Sequence, residues 1–235
     1  MVMASPDLSS AIDLGVLILF VGFTPIALFA NTFTLPLFHR SGVLMSYGKF
    51  AKKVTSGIPI PSRLGMSLLY VPSVILSIIL LRDNASDRGC ALAQLTLLHF
   101  AKRTLECFFL HNYSGTMPLL SSLMITIFYS IVTWASVHYS AVVPTSTLND
   151  HLLLAGRIAF TVGQLGNFYH HLLLAGLRKG GSKAYAVPYG GLFEYVAAPH
   201  YLFELISWLG IVLAAQHLCL VIIFVTMTAC ACATA

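Results

Sequence analysis

Apolar residues gather in six long runs, at roughly 12–30, 64–81, 91–110, 119–140, 151–174 and 200–227. A helix needs about 20 mainly apolar residues to cross the hydrocarbon of a bilayer. The pattern therefore predicts an all-α fold, a polytopic transmembrane helix bundle of about six spans. The second run holds Pro72, and the third is interrupted by Lys102, Arg103 and Glu106. Loop 31–63 carries Gly42, Gly48, Gly57, Pro59 and Pro61 and reads as irregular. Only Asp7 and Asp13 precede or enter the first run, with no basic residues before it. It is expected to be a membrane helix rather than a cleaved signal peptide. Two regions follow: N-terminal membrane helices with a loop over 1–90, and a C-terminal membrane domain over 91–235.

Composition strengthens this picture. The chain is 57% hydrophobic and 9% charged, against about 25% charged in soluble domains. No separate soluble domain is expected. The net charge of +5 comes from basic residues on alternate loops, which fits membrane topology and not nucleic-acid binding. The charge rule puts loops 31–63, 111–118 and 175–199 in the cytosol, and both termini on the far side. The five cysteines form no ligand pattern and read as small apolar fillers.

Against this background the polar positions stand out, since an ionisable group at membrane depth is costly and usually marks a site or pathway. Asn167, His171 and Arg178 share one helix face, and His200, Glu204 and Trp208 share another. His99, Arg103 and Glu106 form a third stripe. There Arg103 either pairs with Glu106 structurally, or binds an anionic group while His99 or Glu106 orients a substrate. His170 points away from its neighbour His171 and reads as structural. Gly180, Gly181, Gly190 and Gly191 lie near Arg178, Lys179 and Lys183. Such a loop suits either turns or a phosphate. No dinucleotide-binding glycine motif follows a strand and no phosphate-loop lysine occurs. The histidine spacings do not suggest a metal centre.

The segments GNFYHHLLLAGLR and YAVPYGGLFEYVAAPHYLFELISWLG resemble the C-terminal domain of the steroid 5-alpha-reductase family. That family includes very-long-chain enoyl-CoA and polyprenol reductases. HFAKRTLECFFLHNYSGTMPL is similar to the enoyl-CoA reductase branch. The likeness runs from about Leu98 to Gly210. It implies NADPH binding by Asn167, His171, Arg178, Tyr185, His200, Glu204 and Trp208. It implies His99, Arg103, Glu106 and Tyr185 as catalytic residues. The implied reaction is hydride transfer to the β-carbon of an α,β-unsaturated carbonyl in a lipid, an enoyl-CoA or a 3-oxo-4-ene steroid. The implied setting is the endoplasmic reticulum membrane, cofactor side cytosolic, with membrane lipids and a fatty-acid elongation complex as partners.

Three features depart from the family pattern. Phe100 stands where relatives often carry tyrosine, and His171 where they commonly carry a carboxylate. The basic, aromatic tail of the family does not follow TMTACACATA, so the domain is expected to be truncated. Two alternatives stay open: a catalytically impaired membrane paralogue that binds partners in a lipid-synthesis complex, and a membrane methyltransferase.

Overall fold

A computed structural model describes residues 58–84, 86–113, 115–177 and 187–234. The expected first span at 12–30, most of loop 31–63, and Arg178, Lys179, Gly180, Gly181, Lys183 and Tyr185 lie outside the described residues.

Strand β1 (Pro59–Pro61) leads into α1 (Ser62–Asp83). Helix α2 (Asp87–Leu105) continues as a π-helical turn, Glu106–Leu110. Strand β2 (Thr116–Pro118) precedes α3 (Leu119–Val142), and α4 is Asp150–Gly176. A 3-10 turn at Gly191–Glu194 precedes α5 (Pro199–Ala215) and α6 (Leu218–Thr234). The β1–β2 ribbon is a departure from the all-α expectation. Its register pairs Ile60 with Met117, antiparallel, and joins loops 31–63 and 111–118 at one end of the bundle. The charge rule assigned those two loops to the same side.

Small hydroxyl side chains share the interior of the bundle, and large aliphatic ones face outward. Ser73, Ser77, Thr96, Ser122, Thr133, Ser136 and Ser140 are buried, while Ile75, Ile78 and Ile79 are exposed. Small hydroxyls let helices approach and hydrogen-bond without a hydrophobic driving force between them. Ser77 Oγ donates to Thr96 Oγ1 at 3.1 Å between α1 and α2, and Thr126 Oγ1 meets Leu68 O at 2.9 Å between α3 and α1. Aromatic and aliphatic side chains fill the rest: Tyr70, Leu92, Phe100, Val132, Trp208, Ile211 and Leu220.

Four of the expected runs appear as α1, α2 with its π turn, α3 and α4. Among the described residues, α1 and α3 alone are long and apolar enough to cross a membrane, with mean hydropathy 2.3 and 1.6. The six-span expectation is met only in this narrower form. Helices α2 and α4 carry the polar stripes that face each other, which lowers their hydropathy.

The sixth run is not one helix. It breaks at Gln216, whose φ of 53° is left-handed. The cause is a side-chain pairing that mimics a strand. Asn149 N donates to Gln216 Oε1 at 2.9 Å, and Gln216 Nε2 donates to Asn149 O at 2.8 Å. Asn149 in turn caps α4 through His151 N and Leu152 N. Arg88 donates to Ala214 O, putting a cation at the C-terminus of α5. Helix α5 thus reaches the far end by Ala215, and α6 starts there, which corrects the single span drawn over 200–227. Gln216→Ala takes the partner from Asn149 N, while Asn149 O keeps the N–H groups of Leu152 and Leu153, and is expected to cost about 1 kcal/mol. Thermal unfolding in detergent checks this, and an unchanged midpoint refutes the latch.

Candidate active site

Helix α2 carries its charges on the last turn before it widens. His111 N donates to Glu106 O at 2.9 Å, a five-residue step that makes the turn π-helical. Such turns often sit at functional sites. Here it buries Glu106 and Cys107 while Phe108 and Phe109 face outward.

Glu106 is the hub. Its Oε2 accepts from Arg103 Nη1 at 2.8 Å and from His171 Nδ1 at 3.0 Å. Its Oε1 lies 3.2 Å from Lys102 Nζ. Lys102 also donates to Asn167 Oδ1, and Asn167 Nδ2 donates to His200 O at 2.8 Å. The second arm of Arg103 donates to the Tyr70 hydroxyl at 3.0 Å. Charges from α2 are thereby tied to α1, α4 and α5. Burial of two cations is tolerable because a carboxylate and amide oxygens meet them.

One turn earlier lies a second group. His99 Nε2 is 3.2 Å from Glu204 Oε1, and Gln164 Nε2 approaches His99 Nδ1 at 2.9 Å. The His99 ring packs edge-on against Trp208 with centroids 4.9 Å apart. Phe100, fully buried, packs against Tyr129 and Trp208 with centroids 5.5 and 6.1 Å away.

Glu106, His111 and His171 bring ligand atoms within 4.8 Å of one another, a spacing that would suit a metal ion. Arg103 Nη1 already lies 2.8 Å from Glu106 and 3.1 Å from His171 Nδ1. The guanidinium is one of two cations, with Lys102, that meet Glu106. In the following loop, burial pushes the Tyr113 hydroxyl well above the ordinary tyrosine range, and its 3.2 Å contact with Cys107 Sγ adds to this. Tyr113 is a neutral group there.

The structure brings together His99, Arg103, Glu106, Asn167, His171, His200, Glu204 and Trp208; Arg178 and Tyr185 fall outside the described residues. The Arg103–Glu106 pair exists and is also part of the larger cluster, so the two readings of it are not exclusive. Gln164, Lys102, Tyr70 and His111 were missed. Gln164 was legible, three residues before Asn167 on the same face. Lys102 stands in the sequence only as an interruption of the third apolar run. Tyr70 carries no signal inside an apolar run.

His170 is structural, as expected. Its Nδ1 donates to Gly166 O at 2.7 Å and its Nε2 accepts from Leu192 N at 3.1 Å. That clasp holds the 3-10 turn against α4. Gly190 and Gly191 have φ of 88° and 56°, a region where glycine is at no disadvantage. This pair shapes the entry to the 3-10 turn.

The sequence profile of 3-oxo-5-alpha-steroid 4-dehydrogenase matches residues 115–235, more than half of the chain. The chain belongs to that family. Bovine 3-oxo-5-alpha-steroid 4-dehydrogenase 1 is 30% identical over 178 residues, covering 72% of this chain and 69% of the relative. Mouse 3-oxo-5-alpha-steroid 4-dehydrogenase 2 is 31% identical over 179 residues, with 72% and 69% covered. A putative enoyl-CoA reductase of Trypanosoma brucei brucei is 36% identical over 127 residues, covering 51% of this chain and 41% of that protein. Both the steroid and the enoyl-CoA branches of the family are therefore similar to this chain.

Proposed function

We propose that the protein is a membrane-embedded oxidoreductase that reduces a carbon–carbon double bond conjugated to a carbonyl in a lipid, using NADPH. One observation carries the reading. Polar side chains from α1, α2, α4 and α5 converge on a single cluster inside an otherwise apolar bundle. The names of the relatives supply the chemistry, since 3-oxo-4-ene steroids and enoyl-CoA thioesters share the conjugated C=C–C=O unit.

The residues present fit a nicotinamide cofactor. His200 Nδ1 and Gln164 Oε1 are buried and have no hydrogen-bond partner among the described residues, and buried polar atoms without partners are uncommon. Asn167, His171, His200, Glu204 and Trp208 would hold the cofactor, with Arg178 and Tyr185 from the connection between α4 and α5. When bound, NADPH supplies the hydride. Arg103 and Lys102 present fixed positive charge, which stabilises a carbonyl oxygen as it gains negative charge. Tyr70 accepts from Arg103 and keeps its own O–H proton available to a substrate oxygen. Tyr185 is the second hydroxyl of this proposal. His99 and Glu106 orient these groups. The bare outer aliphatics and buried serines support a membrane site, which we assign to the endoplasmic reticulum with the cluster toward the cytosol. The enoyl-CoA relatives support a fatty-acid elongation complex as partner.

A second reading is an impaired paralogue that binds partners. Phe100 favours it, since a phenyl ring offers no proton where the family resemblance implies a tyrosine. The test is NADPH oxidation by the detergent-purified protein with a trans-2-enoyl-CoA or a 3-oxo-4-ene steroid. Oxidation with either supports the enzyme. NADPH binding without turnover on both supports the paralogue, and absence of NADPH binding refutes the cofactor assignment.

A further inference from the structure

Gln164 lies on α4 one turn before Asn167 and touches α2 through His99. An amide N–H only donates, so with Gln164 Nε2 at 2.9 Å the His99 Nδ1 holds a lone pair. The single ring proton is then on Nε2, 3.2 Å from Glu204 Oε1, and is donated to that carboxylate. The opposite amide orientation would turn Oε1 toward Nδ1 and demand protons on both ring nitrogens. That is a doubly protonated imidazole beside the Glu204 carboxylate. The orientation of one amide thus decides the tautomer of His99 and the direction of its N–H.

We infer that Gln164 is a positioning residue of the site: it fixes His99 as the Nε2–H tautomer, aims that N–H at Glu204, and so holds the carboxylate turned toward the cofactor. This rests on the cofactor reading above. The remaining oxygen of Gln164, Oε1, is buried and unpartnered among the described residues. It has the chemistry to accept an N–H from a bound nicotinamide carboxamide. Gln164 therefore has two tasks, one through His99 and one toward the ligand itself.

The test uses the full chain in detergent with ¹⁵N-labelled histidine, the His99 signals being assigned by their loss in His99→Gln. Wild type is expected to show a protonated Nε2 and a bare Nδ1. Gln164→Glu offers only acceptors and is expected to give a doubly protonated His99. Gln164→Met, close in size, is expected to lose the tautomer preference. Its NADPH affinity falls about tenfold, the worth of one well-placed hydrogen bond, at an unchanged unfolding midpoint. A proton on Nδ1 in wild type, or wild-type affinity in Gln164→Met, overturns the inference. If wild type binds no NADPH, the cofactor reading has failed and the ligand half of the assignment goes with it. The tautomer signals then still decide whether Gln164 sets His99. A purely structural role would lower the midpoint and leave the tautomer alone.

Discussion

Glu106→Ala is expected to destabilise the protein by about 3–5 kcal/mol, the cost of breaking a buried ion pair from one side, and to abolish any NADPH-dependent activity. Glu106 is only 3% exposed, and Arg103, Lys102 and His171 all turn toward its two oxygens. Its removal leaves two cations at 14% and 19% side-chain exposure without their carboxylate. Water reaches that place poorly, so the penalty is not relieved by hydration. Glu106→Gln keeps the shape and one acceptor oxygen but loses the charge, and falls between wild type and alanine. A double replacement, Glu106→Ala with Arg103→Met, recovers part of the loss, because it removes an uncompensated charge along with its former partner. Unfolding midpoints in detergent check the series. A midpoint for Glu106→Ala equal to wild type contradicts the hub role.

The second large effect concerns how α4 meets α5. A Cβ on Gly210 would lie 2.5 Å from Phe160 N and 2.6 Å from Gly156 O. A Cβ on Gly156 would lie 2.6 Å from both Ala214 N and Gly210 O. Every one of these neighbours is backbone, so no side chain can swing aside and the helices must part. Gly210→Leu is expected to cost about 3 kcal/mol, the upper part of the overpacking range. The same parting lengthens Asn167 Nδ2 to His200 O, now 2.8 Å. Cofactor affinity should drop with stability. Gly176→Ala is the control, because nothing among the described residues lies within 4 Å of its added Cβ, and alanine is the better helix former. Equal behaviour of Gly210→Leu and Gly176→Ala would show that close glycine packing does not matter here.

Much of the site could be read before any coordinates. Stripes at helical spacing placed His99, Arg103 and Glu106 on one face, and Asn167 with His171 on another, because a helix repeats every 3.6 residues whatever surrounds it. The partners of those stripes were harder. Tyr70 meets Arg103 from 33 residues away, and Gln216 meets Asn149 from 67 residues away. Neither distance leaves a local trace. The break at Gln216 was invisible for that reason: an isolated glutamine in an apolar run reads as tolerated, not as a corner. The ribbon at Pro59–Pro61 was missed because three residues carry no strand period.

The order of apolar runs and their polar stripes therefore set which residues would be helical, which faces would be polar, and which loops would share a side. Those are properties of short stretches, governed by residue chemistry and the repeat of the helix. Tertiary structure alone decided that two stripes close onto the Glu106 carboxylate while the third meets His99, and that a π turn and not an α turn buries it. Those outcomes depend on which helices touch and how closely, and that is set by glycines and long-range hydrogen bonds whose partners are far apart in the chain.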